Sequence, residues 1–310
     1  MLRYLNGVIK GLEANQIPYE VVEPKSKGLK AKYIDYPFLA RNRRKKDGKH
    51  LIISERYAYL IPFMGKRSIV VCHDLHTLYD QAKTPPIHRQ IYRSFLSNML
   101  KAEKVVCVSE HTRIDLKRFE PRFKDHPHLQ VVHNGVEDFW IKNLPEKINN
   151  PGLTKLFNEK RVLLSVGTDA WYKNNEWSLR FLAGLNEDFH LLRIGRFSSE
   201  NSDLIESLNL NSRITQLEGI SDSELKFCYQ NARALLFPSI SEGFGWPALE
   251  AALCGCGVIS DGHGATHEVF SNPSDLIGLE KAEDALVNNL TRPADPAYLT
   301  WSDQVNALLA

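Results

Sequence analysis

The sequence predicts an α/β protein built from two doubly wound, Rossmann-like domains facing a central cleft. Three observations carry this. Short β-branched or apolar runs alternate with amphipathic helical patterns along the whole chain. The runs are apolar throughout rather than alternating, as parallel strands covered on both faces are. They form two series, separated by LPEKINNPGLTKLF (144–157), a stretch rich in breakers.

The first series is YEVVE (19–23), HLIIS (50–54), SIVVCH (68–73), KVVCVS (104–109) and LQVVHN (129–134). The second is RVLLSVG (161–167), FHLLRIG (189–195), RITQLEG (213–219), ARALLFP (232–238) and CGVIS (256–260). Between them RQIYRSFLSNMLKAE, NEWSLRFLAGL, SDSELKFCYQNA and WPALEAALCG carry helical spacing. The domains are expected at about 1–146 and 150–290. A last helix, about 298–310 with Thr300 or Ser302 as its cap, can pack back on the first. In such sheets ligands bind beyond the carboxyl ends of the strands.

Composition narrows the classes. Of 310 residues, 43% are hydrophobic and 25% charged, ordinary for a protein with real cores. A formal net charge of +2 gives no argument for nucleic acid. No apolar run approaches the roughly 20 residues that cross a bilayer, and MLRYLNGVIKGLE lacks the features of a signal peptide. Five cysteines with no Cys-x-x-Cys read as free thiols of a reducing compartment, so a cytoplasmic location is expected. Residues 25–49 hold ten Lys or Arg against two Asp. Two readings stand: a solvated loop, or a patch facing anionic lipid or a phosphorylated acceptor. Tyr33, Tyr36, Phe38 and Leu39 lie among these charges.

The densest chemistry is in SISEGFGWPALEAALCGCGVIS (239–260). An apolar strand leads into a glycine turn and then a helix whose Pro247 suits the first helical turn. Gly243 and Gly245 leave backbone N–H groups approachable, and the helix N-terminus adds partial positive charge, so the turn suits an anion such as phosphate. Glu242 precedes it and Glu250 lies a turn inside the helix. Carboxylates repel phosphate but accept hydrogen bonds from hydroxyls, which fits a diphosphate carrying a sugar at each end. The competing reading makes Glu242 a helix-dipole partner and Glu250 a surface residue.

This stretch, continued as SDGHGATHEV, resembles the signature of retaining glycosyltransferases of family 4, which have the GT-B fold. The resemblance rests on a Glu, seven residues and a second Glu, with Gly-Phe-Gly-x-Pro between them. ITQLEGISDSELKFCYQNARALLFPS, VVHNGVEDFW and KVVCVSEHTRIDL are similar to other segments of the family. It implies Glu250 on the nucleotide ribose and Glu242 on the transferred sugar. Gly243, Phe244, Gly245 and Trp246 would stand around sugar and phosphates.

LLSVGTDAWYKNNEW offers a second phosphate contact. A lysine at a helix N-terminus is unfavourable there unless an anion compensates, so Lys173 points to one. Gly167 ends the strand, Thr168 stands where the family often has Arg, and Arg196 after the next strand can supply that cation. His73 in VVCHDLHTLYD is read either as a metal ligand with Asp74 and His76, as a strand-end cap, or in the cleft near the reacting sugar, as the resemblance implies. His263 and His267 match the segment before Glu268 rather than a zinc site. No Asp-x-Asp occurs, so the diphosphate is expected to be neutralised by Lys173, helix dipoles and backbone N–H groups, with no metal or other cofactor.

MLRYLNGVIKGLEANQ is similar to the family's first helix, so the strand and glycine loop that precede it in the family are missing from this sequence, which reads as a shortened member or as part of a longer chain. The expected activity is metal-independent, retaining transfer of a hexose. It runs from a nucleotide diphosphate sugar to a glycan or lipid-linked acceptor in bacterial surface polysaccharide or lipopolysaccharide assembly. The alternative is a non-catalytic sugar-nucleotide-binding subunit.

Overall fold

The computed structural model describes all residues except 1, 25, 45–46, 66, 80–83, 143–147, 289, 291–292 and 294–295. Two compact units emerge: Met1–Val136 with Leu299–Ala310, and Glu137–Tyr298.

In the first unit four parallel strands lie in sequence order: β1 (His50–Ile52), β2 (Ser68–Cys72), β3 (Lys104–Cys107) and β4 (Leu129–Val131). Every residue of β2 and β3 is buried, because helices cover both faces of the sheet. Val70, Leu75, Leu96, Met99, Val105, Leu116 and Phe123 form one core. The expected strand at 19–23 does not exist. The segment is irregular, and Tyr19 and Val21 are exposed. Pro18 and Pro24 remove ladder donors at both of its ends, and Glu20 and Glu23 would have to enter a sheet buried on both faces.

Helix Leu2–Ala14 buries Tyr4, Gly7, Val8 and Gly11 at three- and four-residue spacing, one helical face. That face receives Trp301 of helix Trp301–Leu309, whose N-cap Thr300 forms a capping box with Asp303. A Cβ on Gly7 would lie 2.1 Å from the Trp301 ring, and one on Gly11 2.3 Å from its carbonyl oxygen. Here glycine is required by close approach. Two short parallel strands, β5 (Gly135–Val136) and β12 (Leu299–Thr300), complete the joint between the chain's ends.

The second unit holds six parallel strands: β6 (Arg161–Val166), β7 (Phe189–Ile194), β8 (Ile214–Leu217), β9 (Ala234–Leu236), β10 (Val258–Ile259) and β11 (Leu276–Ile277). Their order is β11-β10-β9-β6-β7-β8. The chain winds outward from β6 in one direction and from β9 in the other, so the topological switch point lies between these two. Leu163, Leu179, Phe189, Leu191, Leu236 and Ile259 centre the core.

Trp301 is 4% exposed. Trp301→Ala should therefore cost about 3–5 kcal/mol of unfolding free energy, and Gly7→Val should also destabilise by clash. Denaturant midpoints unchanged in both variants would contradict this joint.

Candidate active site

The loops that leave β6 and β9 meet above the switch point. The first runs Gly167–Asn174 into helix Asn175–Gly184, and the second runs Phe237–Gly245 into helix Trp246–Leu253. The backbone N–H of Ile240 donates to the carbonyl of Tyr172 at 2.8 Å. Beside that bond, Lys173 Nζ donates to Glu242 Oε1 at 2.5 Å. Both side chains are largely buried, 14% and 8% exposed, and the ammonium also stands 5.3 Å from the Phe237 ring centroid. The two residues named separately from the sequence are thus one ion pair, 69 positions apart in the chain.

Both helices that start here lack a side-chain cap. Asn174 (φ 51°) and Gly245 (φ 94°) are left-handed N-caps with no side-chain hydrogen bond. Helix Pro86–Met99 shares this lack, whereas Ser109, Asn150, Ser198, Ser221 and Thr300 cap their helices through side chains. Two helix N-termini therefore bring partial positive charge to the same edge as Lys173.

Glu242 is fixed from behind by the loop after β10. Its carbonyl accepts from Ala265 N–H at 3.1 Å. Gly264 (φ +66°) passes so close that a Cβ would lie 2.3 Å from the Glu242 nitrogen. Glu250 is buried on helix Trp246–Leu253 and accepts a hydrogen bond from Tyr229 Oη at 3.1 Å. Burial and the Glu250 charge push the Tyr229 phenol well above its ordinary value. Phe244 is buried and meets Trp246 edge to face at 6.0 Å.

The β6 loop has its own support. Arg193, fully buried within β7, donates to Gly167 O at 2.7 Å and to Ser165 Oγ at 2.8 Å. Burial pulls its guanidinium down to about 10, opposed by the charge of Asp169. Asp169 accepts from Ser198 N–H at 2.6 Å and from Asn201 and Asn175. Burial works against that carboxylate, but these hydrogen bonds outweigh it and hold its pKa below the ordinary value. Thr168 is exposed beside them. Arg196 does not turn toward this loop: its exposed guanidinium pairs with Glu218 at 2.9 Å. Sequence reading missed Arg193, Asp169 and Tyr229. The available signal was an arginine inside an otherwise apolar strand.

In the first unit His73 follows β2. Its Nε2 lies 2.7 Å from the Ile53 carbonyl, and Tyr4 meets the ring edge to face at 4.7 Å. Burial lowers its pKa, which favours the neutral ring. Its backbone N–H donates to Glu55 Oε2 at 3.1 Å. Tyr92 Oη lies 3.0 Å from Glu55 Oε1. Burial, reinforced by Asp74, raises the Glu55 carboxyl to about 7. His76 pairs with Asp74 at 3.4 Å. Among the described residues no three His, Cys, Asp or Glu side chains gather as a metal site. An open depression of about 710 Å³ beside β11 is lined by three acids, Asp261, Glu280 and Asp284, against one cation, Lys281, a balance unsuited to a diphosphate.

The two units and their parallel sheets have the GT-B fold of several solved glycosyltransferases. WaaG, a glycosyltransferase involved in lipopolysaccharide biosynthesis, superposes with a TM-score of 0.65 at 18% identity over 98% of this chain and 90% of its own. Anabaena HepE, solved with UDP and glucose, gives 0.64 at 16% identity over 97% and 78%. Residues 147–292 match the family model of Glycosyl transferases group 1. The O-antigen chain mannosyltransferase RfbU of Salmonella typhimurium is 26% identical over 76% of this chain. The serotype-specific mannosyltransferase WbdA of Escherichia coli is 30% identical over 49% of this chain. The matched regions span 64% of RfbU and 20% of WbdA.

This geometry can be tested at two positions. Gly264→Ala should lose about 1–3 kcal/mol beyond the backbone strain that Gly219→Ala suffers at the same φ of +66° in open space. Equal losses in the two variants would remove the contact with Glu242 as the reason for the glycine. For Glu55, a folded pKa raised from 4.5 to about 7 means that the fold favours the protonated form. Its contribution is complete below about pH 4.5 and is lost as pH rises through about 7. The melting temperature of Glu55→Gln should therefore gain on that of the wild type between about pH 5 and about pH 8. A constant difference across that range would contradict the assignment.

Proposed function

We propose that this chain transfers a hexose, with retention of anomeric configuration, from a nucleotide diphosphate sugar to a glycan or lipid-linked acceptor. The observation that carries the proposal is the Lys173–Glu242 pair at the switch point, between two helix N-termini that lack side-chain caps. A cation and a carboxylate held this close suit a ligand with adjacent anionic and hydroxyl-rich parts. The diphosphate takes the positive charge of Lys173 and of the helix ends, and Glu242 faces the sugar hydroxyls and the positive charge that develops on the sugar ring. Glu250, steadied by Tyr229, accepts from the ribose. Gly167, Thr168 and the turn Gly243–Trp246 line the same seat, while Arg196 stays on Glu218.

In the reaction the bond between the anomeric carbon and the diphosphate oxygen breaks, and the acceptor oxygen bonds to that carbon on the same face. The acceptor proton passes to the departing phosphate oxygen. Lys173 and the helix N-termini stabilise the leaving nucleoside diphosphate, the countercharge a divalent ion supplies elsewhere, so transfer is expected to continue in chelator. The mannosyltransferase relatives make a mannosyl donor the first to test, and UDP bound to HepE makes uridine donors the second. Surface polysaccharide or lipopolysaccharide assembly at the inner face of a membrane is the proposed setting.

Incubation with a panel of UDP-, GDP-, ADP- and dTDP-sugars and cell-extract acceptors should show transfer from one donor class. Lys173→Ala and Glu242→Gln should each lower it by about 100-fold or more. Donor binding without turnover under all conditions would instead make the chain a sugar-nucleotide-binding subunit. Near-normal turnover in either variant would remove that residue from the machinery.

A further inference from the structure

Residues 28–42 of the first unit form one continuous helical run: Gly28–Lys30 α-helical, Ala31–Asp35 π-helical and Tyr36–Asn42 α-helical. Large apolar side chains stand in solvent along it: Leu29 is 75% exposed, Tyr33 54%, Ile34 61% and Phe38 67%. Ala31 and Ala40, by contrast, are 6% exposed.

The π turn explains how these residues share a side. In an unbroken α-helix, nine residues at about 100° each would put Phe38 opposite Leu29. One extra residue absorbed in a π turn rotates the later residues back by about one residue's angle, and Phe38 returns to the side of Leu29 and Tyr33. Arg41 returns with it. The outward side thus reads Leu29, Lys30, Tyr33, Ile34, Phe38 and Arg41, all exposed. The inward side takes Ala31 and Ala40 into the unit, and Tyr59 Oη donates to the Lys32 carbonyl at 2.6 Å.

Charge around this side is mostly positive, although Arg43 pairs with the exposed Glu20 at 3.2 Å. Lys27, Lys30, Arg41, Arg43 and Arg44 are exposed around the apolar residues. The acid within the run, Asp35, is half-buried and accepts from Ser26 Oγ. Apolar and aromatic side chains projecting from a helix, ringed by cations, match the boundary between headgroups and acyl chains of an anionic bilayer. A soluble polyanion would use the cations and leave four large apolar groups in water.

We infer that helix 28–42 is a membrane-docking element, which lays Leu29, Tyr33, Ile34 and Phe38 into the interface of an anionic leaflet while Lys30 and Arg41 meet lipid phosphates. This deepens the membrane setting of the proposed function but rests on the helix alone. Its test reads lipid binding, not transfer, so either can fail without the other.

The test is flotation of the full chain with vesicles of phosphatidylcholine, with and without phosphatidylglycerol. The wild type should float with the anionic vesicles and not with the neutral ones, and added salt should weaken the binding. Lys30→Glu and Arg41→Glu should each reduce partitioning by about fivefold or more. The double variant Leu29→Ser/Phe38→Ser should reduce it by about tenfold or more with an unchanged melting temperature. Ile114→Ser, at an exposed isoleucine on helix Glu110–Phe119, should bind as the wild type does. If the double variant melts early, an environment-sensitive dye on Tyr33→Cys supplies the second reading, with a blue shift expected on anionic vesicles alone. Absence of wild-type flotation, equal flotation with neutral vesicles, undiminished binding by the folded serine variant, or an unshifted dye would each overturn the inference.

Discussion

The second unit is organised around one ion pair. Lys173 and Glu242 come from loops that leave adjacent strands and meet above the switch point, and each is placed where its charge is costly alone. Lys173 stands before a helix N-terminus, where partial positive charge already collects. Glu242 is 8% exposed, so its carboxylate has given up most of its water. Paired, each offsets the other. Removing one partner of a buried pair strands the other, a loss of about 3–5 kcal/mol. A pair that is kept because neither member is content alone is also poised for a third charge.

The surrounding structure serves to hold those two loops. Order reversal between β6 and β9 opens the crevice. Arg193 and Asp169 support the first loop from below through Gly167 and Ser198. Gly264 and Ala265 press on the backbone of Glu242 from the other side. None of these supports needs to touch a ligand, yet each sets where the ammonium and the carboxylate stand. The first unit shows the same economy at its chain ends, where Gly7, Gly11 and Gly135 open the space that Trp301 fills.

Much of this was legible in the sequence, for physical reasons that also mark the limits. Strands buried on both faces announce themselves as continuous apolar runs, which is why β2, β3, β6 and β7 stand out. The same rule misreads 19–23, where flanking prolines and paired acids outweigh three apolar side chains. β11 and β12, two residues each, are too short for any period. Lys173 and Glu242 were each visible from local chemistry, but their pairing depends on strand order, which no local pattern encodes. Arg196 was the obvious cation near the β6 loop; the structure sends it to Glu218 and gives the loop the buried Arg193 instead. The π turn at 31–35 leaves no recognisable trace in composition, yet it decides which side Phe38 faces.

A charge reversal separates the two things the central pair does. The double variant Lys173→Glu/Glu242→Lys keeps opposite charges in contact but exchanges their places relative to the helix N-termini. Thermal unfolding and calorimetric titration with the donor that binds the wild type would be measured on the same preparation. The swapped pair should recover most of the stability that either single reversal loses, and should fail to bind the donor. Donor affinity equal to that of the wild type would show that the pair is a structural strut and that the nucleotide sugar is held elsewhere.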